Sequence, residues 1–194
     1  MSGKKEYPPR FPRFAGGIKL QLKDSGSRSW WVRKWMDRIA ALGVGTRAGK
    51  ARQYALRGQV ARLEMAGPRV KAAVVGARPG AYRVELSFRQ VEGAARARIL
   101  AGIRKEPVTV ARLLAGDLPM EVGELFRQEG FDLFPGAKLG EREYDMTCSC
   151  TCPDWANPCK HTLALLYVLG GEIAIRPLIL LELRGIKEEE LYAD

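Results

Sequence analysis

Cys148-Ser149-Cys150-Thr151-Cys152-Pro153-Asp154-Trp155-Ala156-Asn157-Pro158-Cys159-Lys160-His161 holds all four cysteines and the single histidine of a 194-residue chain. Thiolate sulfur and imidazole nitrogen are donors that suit zinc, which takes four in structural sites. In an extended C-x-C pair both thiols point the same way, because side chains alternate with period two, so one metal can take both. Pro153 and Pro158 bound a turn that returns the chain to Cys159 and His161, at the start of an apolar helix. A disulfide framework in a chain of this length would be spread out, and a redox pair would give His161 no role. Four protein ligands leave no position for water, so one structural Zn2+ is expected rather than a catalytic one. Three thiolates with Zn2+ carry a net charge of −1; the readings of Lys160 are shielding of that charge, contact with a phosphate, or a solvated side chain. Cys148 is an extra thiol that could replace Cys150 or Cys152 in the set.

The spacing C-x-C, six residues, C-x-H resembles the SWIM zinc finger, and Cys150, Cys152, Cys159 and His161 match its four ligands one for one. Pro153-Asp154-Trp155, Asn157-Pro158 and Lys160 look like prokaryotic members, and the resemblance spans about residues 139–171. It implies that Cys148 lies outside the ligand set, since Cys152 directly precedes the Pro-Asp-Trp turn. It also implies a compact strand–strand–helix zinc fold that binds DNA or proteins and performs no reaction. The rest of the chain looks, more loosely, like stand-alone SWIM proteins associated with Swi/Snf-class ATPases. Trp155 is expected to pack over the zinc turn, with contact to a partner as the alternative, and Asp154 to serve as a turn residue.

Away from the cysteines the chain divides by charge. The net charge is +10, but residues 1–105 carry 24 Lys/Arg against 6 Asp/Glu, whereas residues 106–194 carry 8 against 16. A strongly basic half attracts polyanions, of which nucleic acid is the commonest inside a cell. The expected division is a flexible basic arm over 1–17, a basic α+β region over 18–105, and a helical region over 106–194 that contains the finger. The arm interleaves Pro, Lys and Arg with Tyr7, Phe11 and Phe14. Apolar residues make up 46% of the chain, enough for a core. No stretch approaches the roughly 20 apolar residues of a membrane span, and the N-terminus lacks the apolar run of a secretory signal. Cytoplasmic placement, nucleoid-associated and without a membrane partner, is therefore expected.

Local patterns supply the elements. Trp31, Trp35 and Ile39 recur every four residues in a helix capped by Ser27 or Ser29 and ending near Leu42, with the Trp residues read as core. Residues 47–57 read as a loop or short basic helix. Gln59–Met65, Arg69–Ala77 and Tyr82–Arg89 read as strands separated by Gly67-Pro68 and Pro79-Gly80, an antiparallel meander. Helices are expected over Val91–Lys105, Val108–Ala115, Met120–Gly130 and His161–Leu169, the last ended by Gly170-Gly171. A strand over Glu141–Cys150 leads to the cysteines, and a helical pair surrounds Arg184-Gly185. The fold class is thus α+β: an antiparallel sheet with flanking helices in the basic region, then a helical region containing the small zinc finger.

Enzymatic motifs are missing. Gly43-Val44-Gly45-Thr46-Arg47-Ala48-Gly49-Lys50-Ala51 lacks the spacing and the hydroxyl of a phosphate-binding loop. Asp24, Asp37, Glu64 and Glu85 are too scattered for a magnesium nuclease. The expected function is non-enzymatic binding of nucleic acid, chiefly DNA, by Arg47, Lys50, Arg52, Arg57, Arg62, Arg69, Lys71 and Arg83. The alternative is an adaptor that docks a partner such as a Swi/Snf-class ATPase. The finger's place in the acidic half suggests a scaffold or docking element, with the nucleic-acid contacts made elsewhere.

Overall fold

Alternation of apolar and charged residues builds the sheet. The computed structural model describes residues 16–21, 29–42, 46–76, 79–134 and 145–192. Within it β1 spans Val60–Ala66, β2 Arg69–Val75 and β3 Ala81–Phe88. Val70, Val74, Val84, Leu86 and Phe88 face inward and are buried. Gly67, with φ +55, turns the chain between β1 and β2, a conformation that side chains with Cβ resist. The fourth strand, β4 (Met146–Cys150), arrives from the acidic half and pairs with β3, giving the antiparallel order β1-β2-β3-β4. The expected strand–strand–helix unit is therefore completed by β3. The basic arm lies outside the described residues except at its last two positions.

Seven helices are described. They are α1 (Trp30–Ala41), α2 (Thr46–Leu56), α3 (Gly93–Arg104), α4 (Pro107–Leu114), α5 (Met120–Gln128), α6 (Lys160–Ile175) and α7 (Ile179–Leu183). A short 3-10 turn follows at Glu188–Leu191. Residues 46–56 thus take the helical option rather than a loop. None of the described helices is long and apolar enough to cross a membrane.

The hub is α6. It is apolar on nearly every face, as a fully enclosed helix must be, and it packs on α1, α2 and all four strands. Gly170-Gly171 does not end it. A Cβ at Gly170 would lie 2.7 Å from Trp35 Cδ1, and one at Gly171 3.3 Å from Leu20 Cδ1. These glycines are there for close packing, and the helix runs on to Ile175. Trp35 is 2% exposed and its indole N–H donates to Leu166 O at 3.0 Å, which anchors α1 to α6. One apolar core runs from Leu20 to Leu191 through both charge halves.

Arg184, wholly buried, ties the long excursion between β3 and β4 back to the sheet. Its guanidinium donates to Arg89 O at 2.9 Å, to the Asp145 carboxylate at 2.9 Å, and to Asp132 O. Asp132 also pairs with Arg38 of α1.

Candidate metal centre

Two elements and the turn between them present the ligands. Along β4 the side chains alternate, so Met146, Cys148 and Cys150 face the helices while Thr147 and Ser149 face water. Cys152 follows in the turn, whose Asn157–Pro158 peptide is cis. Cys159 occupies the N-cap position of α6 and His161 lies in its first turn. The ligand atoms of Cys150, Cys152, Cys159 and His161 all lie within 4.8 Å of one another. His161 Nδ1 is 3.9 Å from both Cys150 Sγ and Cys159 Sγ. A zinc tetrahedron with Zn–S near 2.3 Å has edges of about 3.8 Å, so this donor set fits the ion. The β4–α6 segment is also matched by a family model: the SWIM zinc finger, over residues 142–170.

This segment is a SWIM zinc finger. Its limits, 142–170, agree with the 139–171 over which the sequence resembles the finger. The whole chain is also similar to the uncharacterized protein Rv2102 of Mycobacterium tuberculosis, 32% identical over 189 residues. That match covers 96% of this chain and 66% of the relative, so the chain spans somewhat less than two thirds of the relative's length. No solved structure matches the chain.

Cys148 stands apart from the SWIM ligands. Its thiol donates to Asn157 Oδ1 at 2.7 Å, and Asn157 Nδ2 returns a bond to Cys148 O at 3.1 Å. This pair latches the turn onto β4. Burial pushes the Cys148 thiol up to about 11, which favours its role as a donor. Burial likewise raises Cys150 and Cys152. At Cys159 burial also acts upward, but His161 and the Thr162 hydroxyl and main chain outweigh it and hold the thiol at about 6. The Thr162 hydroxyl lies 3.4 Å from its sulfur. The position at a helix N-terminus acts in the same direction. Cys159 is therefore the first thiolate of the cluster, and a bound cation would favour ionisation of its neighbours.

Around His161 the SWIM finger uses residues that no local motif announces. The imidazole lies against Tyr82, with centroids 4.6 Å apart, and edge-on to Tyr54 at 5.6 Å. With Nδ1 turned to the thiols, Nε2 is buried without a hydrogen-bond partner among the described residues. Gly76 leaves the space for both rings: a Cβ there would lie 3.1 Å from His161 Nε2 and 2.9 Å from Tyr82 Cδ2. These aromatic walls, rather than a carboxylate partner, hold the ring in place.

The expected nucleic-acid residues fall into two groups. Arg62, Arg69, Lys71 and Arg83 project from the outer face of the sheet. There Glu64 and Glu85 interleave with them, Arg62 meeting Glu64 at 2.6 Å and Lys71 meeting Glu85 at 3.8 Å. Arg47, Lys50 and Arg52 lie on α2, with Arg57 just beyond it, on the helical side. Arg47 Cζ sits 5.2 Å from the Trp155 ring centroid, and Arg47 Nη2 lies 3.9 Å from Asp154 Oδ1. The basic half therefore touches the SWIM turn, and the expected separation of finger from basic surface does not hold. Nor does Trp155 pack over the zinc turn: it is 88% exposed. Asp154 does act as a turn residue, accepting the Ala156 N–H at 3.2 Å.

Proposed function

We propose that the chain binds nucleic acid, DNA above all, through α2 and the adjoining zinc turn, and that it carries out no reaction of its own. One observation supports this reading above the others. Between Asp37 and Glu64 the chain has Arg38, Arg47, Lys50, Arg52, Arg57 and Arg62 and no acidic residue. The helix built from that run packs on α6 beside the metal ligands. Among the described residues no ion pair engages Lys50 or Arg52, whereas the sheet face is partly neutralised by its own glutamates. The zinc ion would be structural, organising the turn next to α2. Its tetrahedron is filled by protein, which leaves no place for a reacting water.

Backbone contacts make binding steeply salt-dependent. Duplex DNA titrated against zinc-loaded protein should bind more weakly as salt rises. Lys50→Ala with Arg52→Ala should flatten the log–log slope by about two. Absence of binding even at low salt sinks the proposal. The adaptor reading has its own supporting observation: Val108, Met120 and Ile175 expose large apolar side chains in the acidic half. A partner such as a Swi/Snf-class ATPase, docked there, would bind with little dependence on salt.

A further inference from the structure

We infer that Trp155 is a base-stacking platform, which makes single-stranded nucleic acid the preferred ligand of the surface proposed above. The inference rests on that proposal and adds a substrate class to it.

Trp155 differs from the other tryptophans. Trp31 and Trp35 are core residues, and Trp30 donates its indole N–H to Leu118 O at 2.8 Å. Trp155 has almost its whole indole in water, on the segment between Cys152 and Cys159. That segment is braced at several points. Two metal ligands bracket it, the Asp154 carboxylate accepts the Ala156 N–H, and Asn157 grips Cys148 at both its thiol and its carbonyl. An aromatic group held still before its ligand arrives loses little freedom on binding.

The charge around the ring selects the ligand. Arg47 lies over it at 5.2 Å, close enough for a base stacked on the indole to leave its phosphate near the guanidinium. Asp154, the acid beside Arg47, is already engaged by the turn. Lys50 and Arg52 continue the positive charge along α2. A protein partner would more naturally find an apolar patch around a buried aromatic anchor. The other large exposed apolar side chains among the described residues are Leu56, Val108, Leu114, Met120, Ile175 and Tyr192, none of them on the zinc turn. A duplex hides its base faces within its own stack and offers only phosphates and base edges, whereas a single strand offers base faces as well as phosphates.

The test uses the full zinc-loaded chain. Fluorescence anisotropy at fixed low salt compares a labelled oligothymidine of about 15 nucleotides with a duplex of equal length. Trp155→Ala is expected to weaken single-strand binding roughly tenfold to hundredfold while leaving duplex binding within about twofold and zinc content unchanged. Trp155→Phe should keep most of the single-strand affinity and abolish the quenching of indole emission by the oligothymidine. If Trp155→Ala binds the single strand as well as the parent does, or weakens both ligands equally, the stacking role is overturned. Salt-dependent duplex binding lost in Lys50→Ala with Arg52→Ala would then still support the basic surface and leave Trp155 to a protein. Failure of the parent chain to bind either polymer would instead overturn the proposed function itself.

Discussion

Cys148 and Cys150 lie two positions apart on one face of β4 and meet different partners. Cys150 reaches His161 Nδ1 at 3.9 Å, while Cys148 is held by Asn157 at 2.7 Å. Replacing Cys159 or His161 by alanine should therefore remove the zinc, read by elemental analysis. Cys148→Ala should keep one zinc per chain and cost about 1 kcal/mol for the lost hydrogen bond. Zinc loss from that variant would overturn the ligand set. The same thiols impose a pH dependence. Near neutrality Cys159, held at about 6, is mainly thiolate, whereas Cys150 and Cys152, both raised, keep their protons. Zinc then displaces about two thiol protons, so affinity should climb roughly hundredfold per pH unit near pH 7. Below about pH 6 Cys159 must give up a proton as well, and the slope should steepen. Competition against a chromophoric chelator measures this, and a pH-independent affinity would contradict the order of ionisation.

At the scale of elements, α6 decides most. A helix propensity scale favours Gly170→Ala by about 1 kcal/mol. Here the new Cβ would press on Trp35 Cδ1 and Met36 Cε, both 2.7 Å away. Overpacking of this kind costs about 1–3 kcal/mol, so the expected outcome is a lower urea midpoint at saturating zinc. An unchanged midpoint would mean that the Trp35 ring can yield. This glycine pair also marks the boundary of what local rules can read. Strands β1 to β3 follow from alternation and from Gly67-Pro68 and Pro79-Gly80, which act within a few residues. The zinc ligands were legible for the same reason, being confined to one short segment. Gly170-Gly171 reads locally as a stop, whereas the pair serves close packing on Trp35 and Leu20, distant in sequence. The walls that Tyr54 and Tyr82 set around His161, and the space at Gly76, are also meetings of distant residues. Trp155 escaped a rule that holds on average, since aromatic residues usually find cover.

For the whole molecule, the two charge halves share one sheet and one core instead of standing as neighbours. Arg184 is the polar counterpart of that sharing, joining the end of β3, Asp132 and the start of β4. Nothing in its local sequence distinguishes it from a solvated arginine. The addition of β4 to β3 has a further consequence for the protein without its metal. β4 is a modest edge: it has five residues, and the Cys148 carbonyl is capped by Asn157. β3 has eight residues and is shielded only while β4 is seated. Because Cys150 ends β4 and shares its ion with Cys159 and His161 of the α6 N-terminus, chelation should loosen the strand and bare a longer row of N–H and C=O groups. Stripped protein should then scatter light increasingly with concentration, and early return of zinc should reverse it. The ion would thus act as a guard against self-templated assembly, keeping the chain from finishing its sheet with a copy of itself.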